Sequence, residues 1–153
     1  MIRILFVCHG NICRSTMAEF VMKDMVSRMG RAEEFHIESA ATSTEEIGNP
    51  IYPPVRRLLA EKGIAFDKSK TARQLTRGDY QRFDYLIGMD EANRRNMTSI
   101  CGGDPDDKIS LILDWTGHPR DVADPWYTDR YEETWRDVNE GCRALLERLA
   151  VRG

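Results

Sequence analysis

Apolar positions change their spacing several times along the chain, and each change marks an element. Residues 2–7 are apolar almost without a break, as a strand buried on both faces is. Met17, Phe20, Val21 and Met25 then recur at helical spacing. They predict a helix with Ser15 or Thr16 as its N-cap, Thr16-x-x-Glu19 as a capping box and Gly30 past its end. Residues 35–40 alternate apolar and polar, which predicts a second strand. A polar loop over 42–50 carries the breakers Gly48, Asn49 and Pro50. A second helix runs from about Pro54 to Gly63 and buries Val55, Leu58 and Leu59. Thr76-x-x-Asp79 opens a short helix, and residues 85–89 form a third strand. Asp90 caps a helix that continues through Ile100 and closes at Gly102-Gly103. Residues 109–113 form a fourth strand. Residues 114–129 are polar and hold Gly117, Pro119 and Pro125, and a connection this long in a small domain is functional or disordered. Trp135, Val138, Cys142, Leu145 and Leu149 lie on one stripe of a final helix.

Strands alternating with helices predict an α/β fold with parallel pairing and right-handed crossovers. Ligands in such folds bind beyond the carboxyl ends of the strands. The loop after the first strand and the loop at 114–129 both open there, so their side chains can share chemistry. The 153 residues suit one compact domain spanning 1–153. A net charge of −3 gives no bulk attraction to nucleic acid or an anionic membrane, and no apolar run approaches a membrane span of about 18 residues. The apolar stretch after Arg3 is too short for a secretion signal. The four cysteines, Cys8, Cys13, Cys101 and Cys142, are therefore expected to be thiols in a reducing cytoplasm.

Chemistry concentrates in the segment Cys8-His9-Gly10-Asn11-Ile12-Cys13-Arg14-Ser15, between a strand end and a helix start. A loop of that length can curl its N–H groups around a tetrahedral oxyanion, and the helix N-terminus adds partial positive charge. Arg14 adds a planar fork for two phosphate oxygens. The same field favours the thiolate of Cys8, toward which Ser15 can direct its hydroxyl. The plainer alternative is a buried core thiol at a strand end. Asn11 tolerates left-handed backbone and can pin the loop. Cys13 has three open readings: core filler, disulfide partner of Cys8 on oxidation, or metal ligand, the last without a second pair at ligand spacing. Cys142 reads as core and Cys101 as a helix-end residue. Transfer from a phosphate monoester also needs a proton for the leaving oxygen. Among Asp114, Asp121, Asp124 and Asp129, Asp124 stands out. Pro125 stiffens the backbone after it, and Trp126 and Tyr127 supply apolar walls; otherwise these aspartates are turn formers on a solvated loop. His9 sits in the loop without an assigned reaction, and His36 and His118 carry no assigned role.

The run from Val7 to Ser15 resembles the signature of the low-molecular-weight protein tyrosine phosphatases, and Asp124-Pro125-Trp126-Tyr127 resembles their general-acid motif. Ser39 to Ser43, Glu46 to Pro50, Ala72-Arg73-Gln74 and Met89-Asp90-Glu91 also match that pattern, so the resemblance runs nearly end to end. It implies a three-layer, flavodoxin-like doubly wound fold with four parallel strands and helices on both faces. It implies a two-step reaction without metal or other cofactor: Cys8 forms a phosphocysteine, Arg14 and the loop 9–13 bind the phosphoryl group, and Asp124 is general acid and then base. Its substrate is a phosphotyrosine-containing protein and its product inorganic phosphate. Three departures carry implications. Thr16 replaces a usual proline, so the helix start is capped differently. Lys70 replaces a histidine that braces the loop asparagine, which implies loss of that brace. Glu45 replaces an aromatic wall of the cleft, which removes a stacking surface and adds negative charge beside Trp126 and Tyr127. Arsenate reductases share the fold but relay through further cysteines, and only Cys101 lies where one is needed. Phosphoarginine phosphatases carry threonine at the place of Ile12, whose bulk favours tyrosine. A phosphate-binding module without turnover would need neither nucleophile nor acid.

Overall fold

The computed structural model describes residues 1–150. Four parallel strands form one sheet in the order β2-β1-β3-β4: β1 (Ile2–Cys8), β2 (Phe35–Ala41), β3 (Tyr85–Gly88) and β4 (Ile109–Leu111). The central strand β1 buries Ile4, Leu5, Phe6 and Val7 completely, which explains its unbroken apolar run. The pleat sends Ile4, Phe6 and Cys8 to one face. There they pack with α1 (Arg14–Arg28), α2 (Pro53–Glu61) and α6 (Tyr131–Ala150). Leu5 and Val7 face the other way, against α3 (Arg77–Arg82) and α4 (Glu91–Cys101). The result is the three-layer doubly wound arrangement, and the α6 stripe packs its Val138, Cys142, Leu145 and Leu149 into the larger core as its spacing predicts.

Several terminators follow their side-chain chemistry. Asp90 accepts the Asn93 amide at 2.8 Å, and Gly102 closes α4 with φ 77°. Thr76 and Asp79 form the reciprocal cap of α3.

Two local readings are corrected. The fourth strand stops at Leu111, and Ile112–Trp115 form a 3-10 turn in which Asp114 Oδ2 accepts the Leu111 amide at 2.9 Å. Helix α1 starts at Arg14 without a capping box: Thr16 Oγ1 donates back to the Cys13 carbonyl at 2.9 Å, and the Glu19 carboxylate turns inward to Ser39.

Helix α6 crosses the 3-10 turn at Gly141, where an added Cβ would lie 2.5 Å from Ile112 Cγ1 and 3.1 Å from its carbonyl oxygen. This close approach sets the stem of the loop that carries Asp124. Gly141→Ala should therefore destabilise the fold by about 1–3 kcal/mol despite alanine's better helix propensity. A urea unfolding midpoint equal to or above the parent's would show that the turn yields without strain.

Candidate active site

The segment after β1 is shaped by what holds its carbonyls. Cys8 O accepts the Thr42 amide at 2.9 Å, His9 O accepts Ser43 N–H at 3.0 Å and Ser43 Oγ at 2.9 Å, and Ile12 O accepts the Tyr52 amide at 3.0 Å. Cys13 O accepts Met17 N–H and Thr16 Oγ1, both at 2.9 Å. In a planar trans peptide the next N–H points the opposite way, so the amides of His9, Gly10, Cys13 and Arg14 turn toward the loop's interior. The first-turn amides of α1, which have no intrahelical acceptor, open on the same point.

Asn11 sits at the apex with φ 59°, a conformation asparagine tolerates and most residues resist. Its side chain, 1% exposed, is fully engaged. Nδ2 donates to Ser15 Oγ at 2.8 Å and to Ser39 Oγ at 2.9 Å, and Oδ1 accepts the Arg73 amide at 3.3 Å. Ser39 in turn donates to the buried carboxylate of Glu19 at 2.5 Å, and Lys23 Nζ meets that carboxylate at 2.6 Å. The brace from position 70 is lost as expected, since Lys70 Nζ secures the Ser39 carbonyl at 2.9 Å instead; Ser39, Ser15 and the Arg73 backbone hold Asn11 in its place. Cys8 Sγ lies 3.0 Å from Ser15 Oγ and accepts the Asn11 amide at 3.3 Å. With Asn11 Nδ2 already donating to Ser15 Oγ, the serine proton is free to turn to an ionised sulfur.

Arg14 is drawn across the cleft floor with its side chain 3% exposed. Nη1 donates to Asp90 Oδ2 at 2.8 Å and to the Val122 carbonyl at 2.9 Å, and Nη2 lies 3.5 Å from Asp124 Oδ2. Burial alone would lower its pKa; the neighbouring Cys8, Asp90 and Asp124 outweigh that and raise it, so the guanidinium stays charged. Asp124 caps α5 (Pro125–Thr128) by accepting the Trp126 amide at 3.0 Å, and its side chain keeps a quarter of its surface open. The loop bearing it is pinned by the Val122 amide to Met89 O at 2.9 Å.

Cys8 and Arg14 from the loop after β1 and Asp124 from the long loop therefore line one cleft with His9, Gly10, Ile12 and Cys13. Glu45, Trp126 and Tyr127 form its mouth, and Glu45 is tied to His9 Nε2 at 2.9 Å. Asn11 and Ser15 do not line the cleft; they stand behind the sulfur. Burial, then the neighbouring Cys8 and Asp124, push the Cys13 thiol far up, which keeps it neutral. Asp90, Ser39, Tyr52 and Glu46 are additions that the sequence reading did not assign to the site. Tyr52 packs on Trp126 with ring centroids 5.0 Å apart and on Tyr131 at 6.4 Å, extending the aromatic rim. Among the described residues no group of three His, Cys, Asp or Glu side chains has metal-binding geometry. Chemically, the cleft offers a sulfur nucleophile, a fixed cation with inward amides for an oxyanion, and a carboxyl group for a proton.

Removing the apex side chain tests how much the loop depends on it. Asn11→Ala leaves Ser39, Ser15 and the Arg73 amide short of a partner, each worth roughly 1–3 kcal/mol when buried. The variant should melt earlier and bind inorganic phosphate at least about tenfold more weakly by calorimetry. Parental phosphate affinity would mean that the carbonyl anchors alone preserve the loop.

The family model for low molecular weight phosphotyrosine protein phosphatase matches residues 3–152. The chain is 38% identical over 148 residues to the low molecular weight protein-tyrosine-phosphatase YfkJ of Bacillus subtilis, covering 95% of this chain and 94% of that one. The solved structure of YfkJ superposes with a TM-score of 0.95 at 36% identity, covering 99% and 96% of the two chains. SP-PTP, a low molecular weight protein tyrosine phosphatase from Streptococcus pyogenes, gives a TM-score of 0.88 at 44% identity, with 97% and 93% covered. The Bacillus subtilis YwlE arginine phosphatase, in a variant with a phosphorylated active-site serine, gives 0.85 at 29% identity, with 97% and 96% covered.

Proposed function

Because the chain belongs to the low molecular weight phosphotyrosine protein phosphatase family, we propose that it hydrolyses phosphotyrosine in proteins through a phosphocysteine on Cys8. The observation that carries this reading is the convergence of Cys8, Arg14 and Asp124 on one cleft. In the first step Cys8 Sγ attacks phosphorus as the bond to the phenolic oxygen breaks, and the Asp124 carboxyl gives its proton to that oxygen. In the second step Asp124 takes a proton from water, the water oxygen attacks phosphorus, and the S–P bond breaks to release inorganic phosphate. Arg14 and the inward amides of His9, Gly10, Cys13 and Arg14 offset charge on the equatorial oxygens. Asp90 and Val122 O fix the guanidinium through Nη1, leaving Nη2 nearest the entering group. Ser15 and Asn11 steady the sulfur from behind.

Substrate class rests on the floor and rim. Ile12 offers an apolar surface with no hydroxyl for a guanidinium, while Trp126, Tyr127 and Tyr52 supply aromatic faces for a phenyl ring. Phosphoarginine is the second reading, favoured by acidic Glu45 and Glu46 at the mouth and by the fold shared with YwlE. The free thiols fit a reducing cytoplasm, with residues 1–153 acting as one domain. Phosphotyrosyl protein is the partner, and the reaction needs no cofactor.

Cys8→Ser should abolish turnover of an aryl phosphate while phosphate still binds; turnover at the parental rate would remove the covalent step. Asp124→Asn should slow phenyl phosphate by roughly 10²–10⁴ and a nitrophenyl ester much less, because only the poorer leaving group needs the proton. Equal losses on both esters would assign the proton to another group. Phosphotyrosyl peptide should turn over at least about tenfold faster than phosphoarginyl peptide in kcat/KM, and the reverse order would select the second reading.

A further inference from the structure

A second concavity shares no lining residue with the active cleft. It lies between α6 and the turn that follows β4, with Trp115, Thr116 and His118 on one wall and Arg136, Asn139, Arg143 and Arg148 on the other. In a chain of net charge −3, three arginines on one groove are a local reversal of sign. Spacing explains how they gather: Arg136, Arg143 and Glu147 recur at seven and four residues, so one face of α6 presents them together. Arg136 and Arg143 are exposed and, among the described residues, no carboxylate pairs with them. Arg148 lies over the Trp115 ring, 5.5 Å from its centroid, a contact that leaves its hydrogen-bonding edge open. Two acids line the same groove. Glu140 is met by Arg120 Nη1 at 3.5 Å, and Arg120 also binds Asp137 at 2.8 Å, so Glu147 is the lining carboxylate without a partner among the described residues.

We infer that this groove docks an acidic polypeptide segment, with side-chain carboxylates bound by Arg136, Arg143 and Arg148 and its backbone running along the Trp115 wall. Charge complementarity argues for the occupant. Guanidinium groups bind carboxylates in bidentate fashion, and arginine beside tryptophan is the composition of a protein-binding hot spot. Asn139 and Thr116 add amide and hydroxyl groups able to pair with a peptide main chain. A nucleic-acid strand fits less well, because its evenly spaced phosphates would meet Glu140 and Glu147 within the same groove. For an enzyme acting on phosphoproteins, such a groove tethers the substrate away from the reacting phosphate and raises its effective concentration at Cys8.

The test is fluorescence anisotropy of a labelled peptide of glutamates spaced by serine and glycine with the full chain, saturating inorganic phosphate being present to occupy the active cleft. Binding should weaken with salt. The double variant Arg136→Glu, Arg143→Glu should lose at least about tenfold in affinity, while aryl phosphate turnover stays at the parental value. Glu147→Gln should bind the peptide more tightly, a gain that misfolding cannot produce. The inference is overturned if the double variant binds as the parent does, or if phosphate displaces the peptide. It is also overturned if a single-stranded oligonucleotide or an anionic vesicle binds more tightly than the peptide, or if the arginine variants instead abolish self-association of the chain. Because the readout is binding, its failure leaves the phosphatase reading untouched, and loss of turnover in Cys8→Ser leaves the docking result untouched.

Discussion

The guanidinium of Arg14 is almost fully withdrawn from water, and a charge in that position must be met by partners or the fold loses several kcal/mol. Its partners come from separate places: Asp90 at the end of β3, the Val122 carbonyl in the long loop and, at 3.5 Å, Asp124. One buried cation therefore fastens the acid-bearing loop to the loop that holds the sulfur. The Asp90 carboxylate divides its work, Oδ1 capping α4 and Oδ2 holding Arg14. Helix α4 is thereby fixed by the same group that sets the catalytic cation. This arrangement explains why the acid can ride on a polar loop rich in breakers and still face the nucleophile: the loop is held at Val122 by hydrogen bonds on both its N–H and its carbonyl.

Behind the sulfur a second polar chain runs through the core, from Glu19 through Ser39, Asn11 and Ser15 to Cys8. Asn11 Nδ2 donates both ways, to Ser15 and to Ser39, and Ser39 donates on to Glu19, which determines where the hydroxyl protons stand. Such a network is costly when incomplete and rigid when complete. Here it is complete, and it holds Asn11 in left-handed backbone against its intrinsic preference. Rigidity at the apex keeps the inward amides in place before any anion arrives, so little reorganisation remains for the reacting complex.

The elements that the sequence reveals are those whose local pattern and tertiary environment agree. The apolar run of β1, the Asp90 cap and the α6 stripe each satisfy both. The 3-10 turn at Ile112–Trp115 does not: Ile112 and Leu113 continue the apolar run of β4, and the feature that ends the strand is a side-chain bond from Asp114, invisible to periodicity. Thr16 and Glu19 form a capping-box pattern, but the carboxylate gains more from Ser39 and Lys23 inside the fold than from a helix amide. Ser39 did carry a signal. It shares the face of β2 with buried Phe35 and Ile37, and a hydroxyl in apolar phase needs a buried partner. Tyr52 carried none, because its place in the rim depends on how the loop before α2 meets α5.

The cleft and the distal groove use arginine in opposite ways. Arg14 is buried and anchored through Nη1; its value lies in geometry, and each neighbour that holds it also narrows where a phosphoryl group can sit. Arg136 and Arg143 are exposed and, among the described residues, unpaired, so their field reaches solvent and acts on approach rather than on reaction. The mouth of the cleft is acidic, with Glu45 met by His9 and Glu46 beside Gly10. On the docking proposed above, a phosphorylated segment with a further acidic stretch would be repelled at that mouth and attracted at the groove. The two regions together would favour a substrate whose acidic stretch lies some distance along the chain from its phosphotyrosine, and disfavour one whose acids flank it directly. These charges lie outside the reacting set, so they can bias which segment approaches without altering the chemistry of Cys8, Arg14 and Asp124.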